Sequence, residues 1–180
     1  MIKFYLIDLD DFCEINTDWE LIENLKEKIP NLKLNLFAIP GQCSMTFLDD
    51  MREYDWIRLY PHGYMHSTSR EFENWGYKRF NFYLGQLERG EWPKLWKSPG
   101  WQSSQDVLQC LADREWAIAD QEYNNQRRPE NLRAYLLDAP YKIHGHIGHW
   151  GAKNENSLEF IFDQIASLEG EFGFIDDLWK

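Results

Sequence analysis

The stretch Phe4-Tyr5-Leu6-Ile7-Asp8-Leu9-Asp10-Asp11 opens the chain with an apolar run that ends in paired carboxylates. Phe4 to Leu9 is apolar and β-branched enough to be a first strand, with Asp10-Asp11 at its end. Outward from it, strand and helix patterns alternate. Asp18 to Ile29 has apolar residues at helical spacing, with Thr17 or Asp18 as N-cap and Pro30 as the stop. Leu32 to Ile39 is a second strand closed by Pro40-Gly41. Phe47 to Tyr54 is a short helix, and Trp56 to Tyr60 is a third strand that delivers Pro61-His62. Arg70 to Glu88 reads as a helix interrupted at Gly76 and Gly85. Leu95 to Lys97 and Trp116 to Ala119 are short strands on either side of a helix from Ser104 to Asp113. Tyr141 to His144 is a late strand, Ser157 to Glu169 a last amphipathic helix, and Asn124 to Asn131 a polar loop. This alternation specifies an α/β protein with a mostly parallel sheet, where functional residues collect at the carboxyl ends of strands.

The 180 residues favour a single domain over 1–180. Nine Trp, nine Tyr and eleven Phe exceed what a small core needs, so some are expected on a surface or in a cleft. The net charge of −11 comes without any Lys/Arg-rich run. That argues against nucleic-acid binding and favours a neutral or cationic substrate over a polyanion. Cys13, Cys43 and Cys110 are odd in number and form no C-x-x-C pair, which favours free thiols over a disulfide framework or a cysteine zinc site. The N-terminus is too short and too soon acidic for a signal peptide, and no apolar run approaches a membrane span of about 18 residues. A cytoplasmic protein is expected, with no membrane partner.

The five histidines fall in two short clusters. His62 and His66 are four apart, and on one helical turn that spacing puts both imidazoles on one side, where they could share a divalent ion with a carboxylate. Asp10 and Asp11 can diverge as they leave their strand, one toward an ion and the other toward the water it activates. His144-Gly145-His146-Ile147-Gly148-His149 follows the late strand and could supply a general acid.

In order, these motifs resemble the polysaccharide deacetylases, the NodB-homology domain of family 4 carbohydrate esterases. The resemblance spans residues 4 to about 150. It implies a distorted, incomplete (β/α) barrel of about seven mostly parallel strands. It makes Asp10 the general base and Asp11, with His62 and His66, the metal ligands. Gly63 stands where the family carries Ser or Thr, so one local hydrogen bond is lost. Lys97-Ser98-Pro99-Gly100-Trp101 is similar to the third motif, with Lys97 in place of Arg and with Gly and aromatic exchanged. The oxyanion-holding amide would then be that of Gly100. The fourth motif has only Asp113 and Asp120 as candidates. The fifth is approximated by Tyr141 to His144, so His144 or His146 would be the acid, with His146 slightly preferred and His149 outside the site. Lys97, Pro99, Gly100, Trp101 and Tyr64 are the expected substrate contacts, and Trp96 could join them on a sugar face.

The resemblance implies metal-dependent deacetylation of an N-acetylated sugar or glycan. The expected ion is zinc, with cobalt, nickel or iron compatible. Two other functions fit the same features: a glycan-binding relative without turnover, and a hydrolase of a small amide or cyclic imide.

Overall fold

A computed structural model describes residues 3–121, 124, 127–136, 141–148 and 156–179. His149, and Asn125 and Gln126 of the expected 124–131 loop, lie outside these. Eight strands and five α-helices alternate along the described residues. They are β1 (Phe4–Phe12), α1 (Trp19–Lys28), β2 (Leu34–Ala38), α2 (Met45–Arg52), β3 (Ile57–Pro61), α3 (Tyr77–Arg89), β4 (Leu95–Lys97), α4 (Gln105–Asp113), β5 (Ala117–Asp120), β6 (Ala134–Leu136), β7 (Lys142–His146), α5 (Leu158–Ala166) and β8 (Glu171–Phe172). No helix among them is long and apolar enough to cross a membrane. The α/β class with mostly parallel strands is the expected one.

The chain forms two compact units: Met1–Ala38, Gln42–Leu59 and Ala139–Lys180 make the first, and Ile39–Gly41 with Tyr60–Asp138 the second. In the first, β1 pairs in parallel with β2, β7 and β8, and β2 also neighbours β3. Because β1 is central, Tyr5 to Phe12 are all buried, as parallel strands covered on both faces require. Ile22 and Leu25 of α1 and Ile165 of α5 are fully buried, each worth about 1.5–3 kcal/mol of burial. Gly145 in β7 is required by this packing: a Cβ there would meet Ile161 of α5, and Asn156 O at 2.9 Å. Asn35 ties the C-terminal segment to the sheet. Its amide donates to Ile7 O (3.0 Å) and Gly173 O (3.2 Å), and its carbonyl accepts from Ile175 N (2.9 Å).

In the second unit β4, β5 and β6 form a parallel sheet. Its core is aromatic: Phe72, Phe80, Tyr83 and Trp96 meet edge to face at 4.8–6.0 Å. Trp96 is fully buried, which corrects its reading as a sugar platform.

Several local expectations also change. The strand β1 does not stop before Asp10 but runs through the carboxylate pair to Phe12, with an irregular register between Leu9 and Phe12. The helix expected from Arg70 starts only at Tyr77, behind an extended Gly76, because the preceding residues turn inward toward the His62 loop. Asp18 precedes α1 as expected, but in a left-handed conformation (φ 46°) and without a side-chain cap. Its carboxylate instead accepts from Gly148 N at 2.6 Å. The three cysteines are free thiols, and burial pushes the Cys43 thiol up to about 12.

Candidate metal and catalytic centre

In the first unit, the carboxyl ends of β1 and β7 bring three of the expected residues, Asp10, His144 and His146, together with Asp8. The two strands run in register, with Asp8 opposite His144 and Asp10 opposite His146. Side chains two apart on a strand share a face, so these four share one. Ligating atoms of Asp10, His144 and His146 lie within 4.8 Å of one another. The His144 and His146 rings are 4.9 Å apart, edge to face. Both histidines lie inside the strand, which extends two residues past the expected end at His144. Asp11 adopts φ 65°, so its side chain departs from the alternation that Asp10 obeys. The paired carboxylates thus diverge through a left-handed residue inside the strand, not by leaving it.

In the second unit, His62 and His66 do not share a helical turn. Pro61 closes β3, and Gly63 follows at φ 70°, outside the helical region. The rings nevertheless meet, with centroids 4.9 Å apart. The connecting loop is held by one carboxylate. Glu71 accepts from the backbone N–H of Tyr64 (3.1 Å), Met65 (3.0 Å) and His66 (2.9 Å). A Cβ on Gly63 would meet Glu71 Oε2 at 2.9 Å and Pro99 Cγ at 2.6 Å, so Glu71 occupies the room a Ser or Thr side chain would need. Buried His62 places Nδ1 3.2 Å from the carbonyl of Lys97. A carbonyl only accepts, so Nδ1 carries the hydrogen and Nε2 keeps its lone pair. This is the usual arrangement of a metal-ligating histidine oriented by its other nitrogen.

The third-motif residues line the same unit. Lys97 is fully buried, with its ammonium 4.5 Å from the Trp101 ring centroid. Pro99 is buried, and Gly100 (φ 56°) and Trp101 (φ 60°) both take left-handed angles. The amides of Trp101 and Gln102 donate to Ser98 O and Pro99 O, so within this turn those two are already used. Tyr64 is 43% exposed and edge-on to Tyr83, whose hydroxyl donates to Gly63 O at 2.8 Å. Burial pushes the Tyr83 phenol well above its usual range, which keeps it a donor.

Of the two fourth-motif candidates, Asp113 is exposed on α4, whereas Asp120 is buried at the end of β5. Asp120 accepts from Asn124 Nδ2 (2.7 Å) and lies 3.7 Å from the Arg128 guanidinium. Asn124 in turn donates to Trp101 O at 3.3 Å. Sequence reading missed Asp8, Glu71 and Arg128. The Asp8-x-Asp10 alternation could have revealed Asp8, because it puts both carboxylates on one strand face.

No family model matches the chain, and no curated protein does. Solved structures do match. The Xyl-CE4 domain of a multidomain xylanase from the hindgut metagenome of Trinervitermes trinervoides is 14% identical, with TM-score 0.66 over 99% of this chain and 90% of that one. A family 4 acetyl xylan esterase from Clostridium thermocellum, in complex with cobalt, is 11% identical, with TM-score 0.61 over 98% and 90%. A family 4 carbohydrate esterase from Streptomyces lividans, in complex with acetate, is 15% identical, with TM-score 0.59 over 92% and 88%. The chain therefore has the fold of the family 4 carbohydrate esterases, and the resemblance read from its motifs holds at the level of that fold.

Proposed function

We propose that this chain is a metal-dependent hydrolase that removes the acetyl group from an acetylated sugar or glycan, with N-acetyl favoured over O-acetyl. The observation that carries the reading is His62, buried and turned by the Lys97 carbonyl so that Nε2 is the ligating nitrogen, beside His66. The motif order adds Asp11 as the carboxylate. Two imidazoles and a carboxylate suit zinc, cobalt, nickel or iron and leave coordination positions open. The cobalt in the Clostridium thermocellum structure supports such an ion.

A divalent ion there would supply Lewis-acid polarisation of the acyl carbonyl and a lowered pKa for water. Asp10 takes the proton of the attacking water as general base. The Gly100 amide donates to the developing oxyanion, with Pro99 and Lys97 shaping the turn that aims it. Trp101 and Tyr64 offer ring faces to the sugar. His146 gives a proton to the leaving nitrogen, supported by His144, as the C–N bond breaks to give acetate and an amine.

The test is elemental analysis of the purified chain together with acetate release from N-acetylchitooligosaccharides, acetylated xylan and small amides. About one equivalent of divalent metal and acetate from one of the sugars is expected. Full metal occupancy in His62→Ala or His66→Ala would overturn the assignment. The fully buried Lys97, in the position of the family Arg, favours one second reading: a glycan-binding relative that binds these sugars and releases nothing.

A further inference from the structure

Asp8 has no part in the hydrolysis proposed above, yet it is a fully buried carboxylate in the middle of β1. A buried carboxylate is costly unless its oxygens are engaged, and an apolar residue would serve the sheet better. Its Oδ2 lies 2.8 Å from His144 Nδ1. As a carboxylate Asp8 can only accept, so Nδ1 carries the hydrogen. The other ring nitrogen, Nε2, lies 3.9 Å from Oδ2 of Asp10. His144 is thus flanked by carboxylates on both nitrogens, with 18% of its side chain exposed. His146, one strand repeat further out, stands opposite Asp10 in the register.

We propose that Asp8 and His144 are a positioning pair for the general base. Asp8 locks the tautomer and plane of the His144 ring, the edge of that ring walls one side of Asp10 and limits how its carboxylate can turn away from the attacking water, and His146 is left as the proton donor. The kinetic half of this inference rests on the hydrolase reading. The ring lock does not.

The experiment uses the zinc-loaded full chain and two substrates. p-Nitrophenolate leaves an acetyl ester without a proton, whereas the amine of an N-acetylchitooligosaccharide needs one. Asp8→Asn and His144→Gln should lose at least about tenfold on both substrates, because both need the base. His146→Gln should lose the amide reaction by about 10²-fold or more and keep most of the ester reaction. Independently, ¹⁵N NMR of the metal-free chain should show His144 protonated at Nδ1 in the wild type, and a switched or mixed tautomer in Asp8→Asn, whose amide can donate as well as accept.

Wild-type rates and an unchanged tautomer in folded Asp8→Asn would overturn the proposal. So would a reversal of the His144 and His146 patterns, or loss of zinc from His144→Gln, which would make His144 a ligand. A wild type inactive on both substrates would remove the hydrolase reading, and the tautomer would still decide whether Asp8 locks the ring. Should Asp8→Asn fail to fold, the wild-type tautomer and His144→Gln decide it.

Discussion

Asp11, His66 and Trp101 carry proposed roles at backbone angles that L-residues avoid, with φ of 65°, 47° and 60°. Each such residue costs of order 1 kcal/mol or more and persists only where its surroundings impose it. For His66 the imposing group is Glu71, through three N–H donors on one carboxylate. Glu71→Ala should therefore weaken zinc binding about 10–100-fold, the range seen when a ligand's supporting partner is removed. Glu71→Gln, with one acceptor oxygen left, should fall between. A competition titration with a chromogenic chelator would read this, and equal affinity in all three proteins would dismiss the loop-holding role. The neighbouring carboxylates separate by function. Asp10→Asn should retain zinc and lose about 10²–10⁴-fold in turnover, whereas Asp11→Asn should lose zinc. The opposite pattern, measured by metal content and acetate release, would exchange their roles.

At the scale of elements, α3 is fastened to the end of α4 by Glu88. Arg114 forms a two-point pair with it, Trp116 Nε1 donates at 3.0 Å and Lys94 lies 3.8 Å away. Burial pushes the Glu88 carboxyl up, but the Trp116 and Arg114 hydrogen bonds outweigh it and hold the group below its usual value. A lowered folded-state pKa contributes stability that is present above the unfolded value, about 4.3, and lost as pH falls through the folded one. Glu88→Gln should lower stability at pH 7, by about 1 kcal/mol or less for so exposed a pair, and with it the melting temperature. The deficit should shrink as the pH drops below about 4. A deficit that is constant from pH 7 to 3 would mean that Glu88 acts by packing alone.

Elements of this kind were the legible part of the sequence. Leu95–Lys97 matches its expected bounds, and α4 starts one residue after Ser104, which caps it by accepting from Val107 N. Both are short patterns with sharp local signals. The strands β6 and β8 were not legible, because Ala134–Leu136 and Glu171–Phe172 are too short for period-two alternation to register. The start of α3 was misread because Phe72 and Trp75 repeat at helical spacing while packing as turn residues in an aromatic core. For the site, residue types and order were legible, but the local geometry was not. Gly63 and Asp11 set it through left-handed angles, and no periodicity encodes those.

At the scale of the whole molecule, the net charge of −11 acts on whatever approaches the chain. A divalent cation is drawn to such a protein and a polyanionic glycan is repelled, with strength that falls as salt screens the field. An ion held by the native state and not by the unfolded chain must raise stability by mass action, by about 2.7 kcal/mol at a free concentration 100 times the dissociation constant. For a chain of 180 residues, 1 kcal/mol moves the melting temperature by about 2–4 °C. Zinc at that excess should therefore raise the melting temperature of the wild type by about 5–11 °C, and a strong chelator should reverse it. The rise should keep growing with the logarithm of zinc concentration, which separates linkage from a salt effect that levels off. Non-specific attraction to the acidic surface predicts instead that magnesium matches zinc and that 0.5 M sodium chloride abolishes both. The His62→Ala variant completes the measurement by differential scanning fluorimetry. It should melt at the same temperature with and without zinc, and a full shift in that variant would place the ion away from His62.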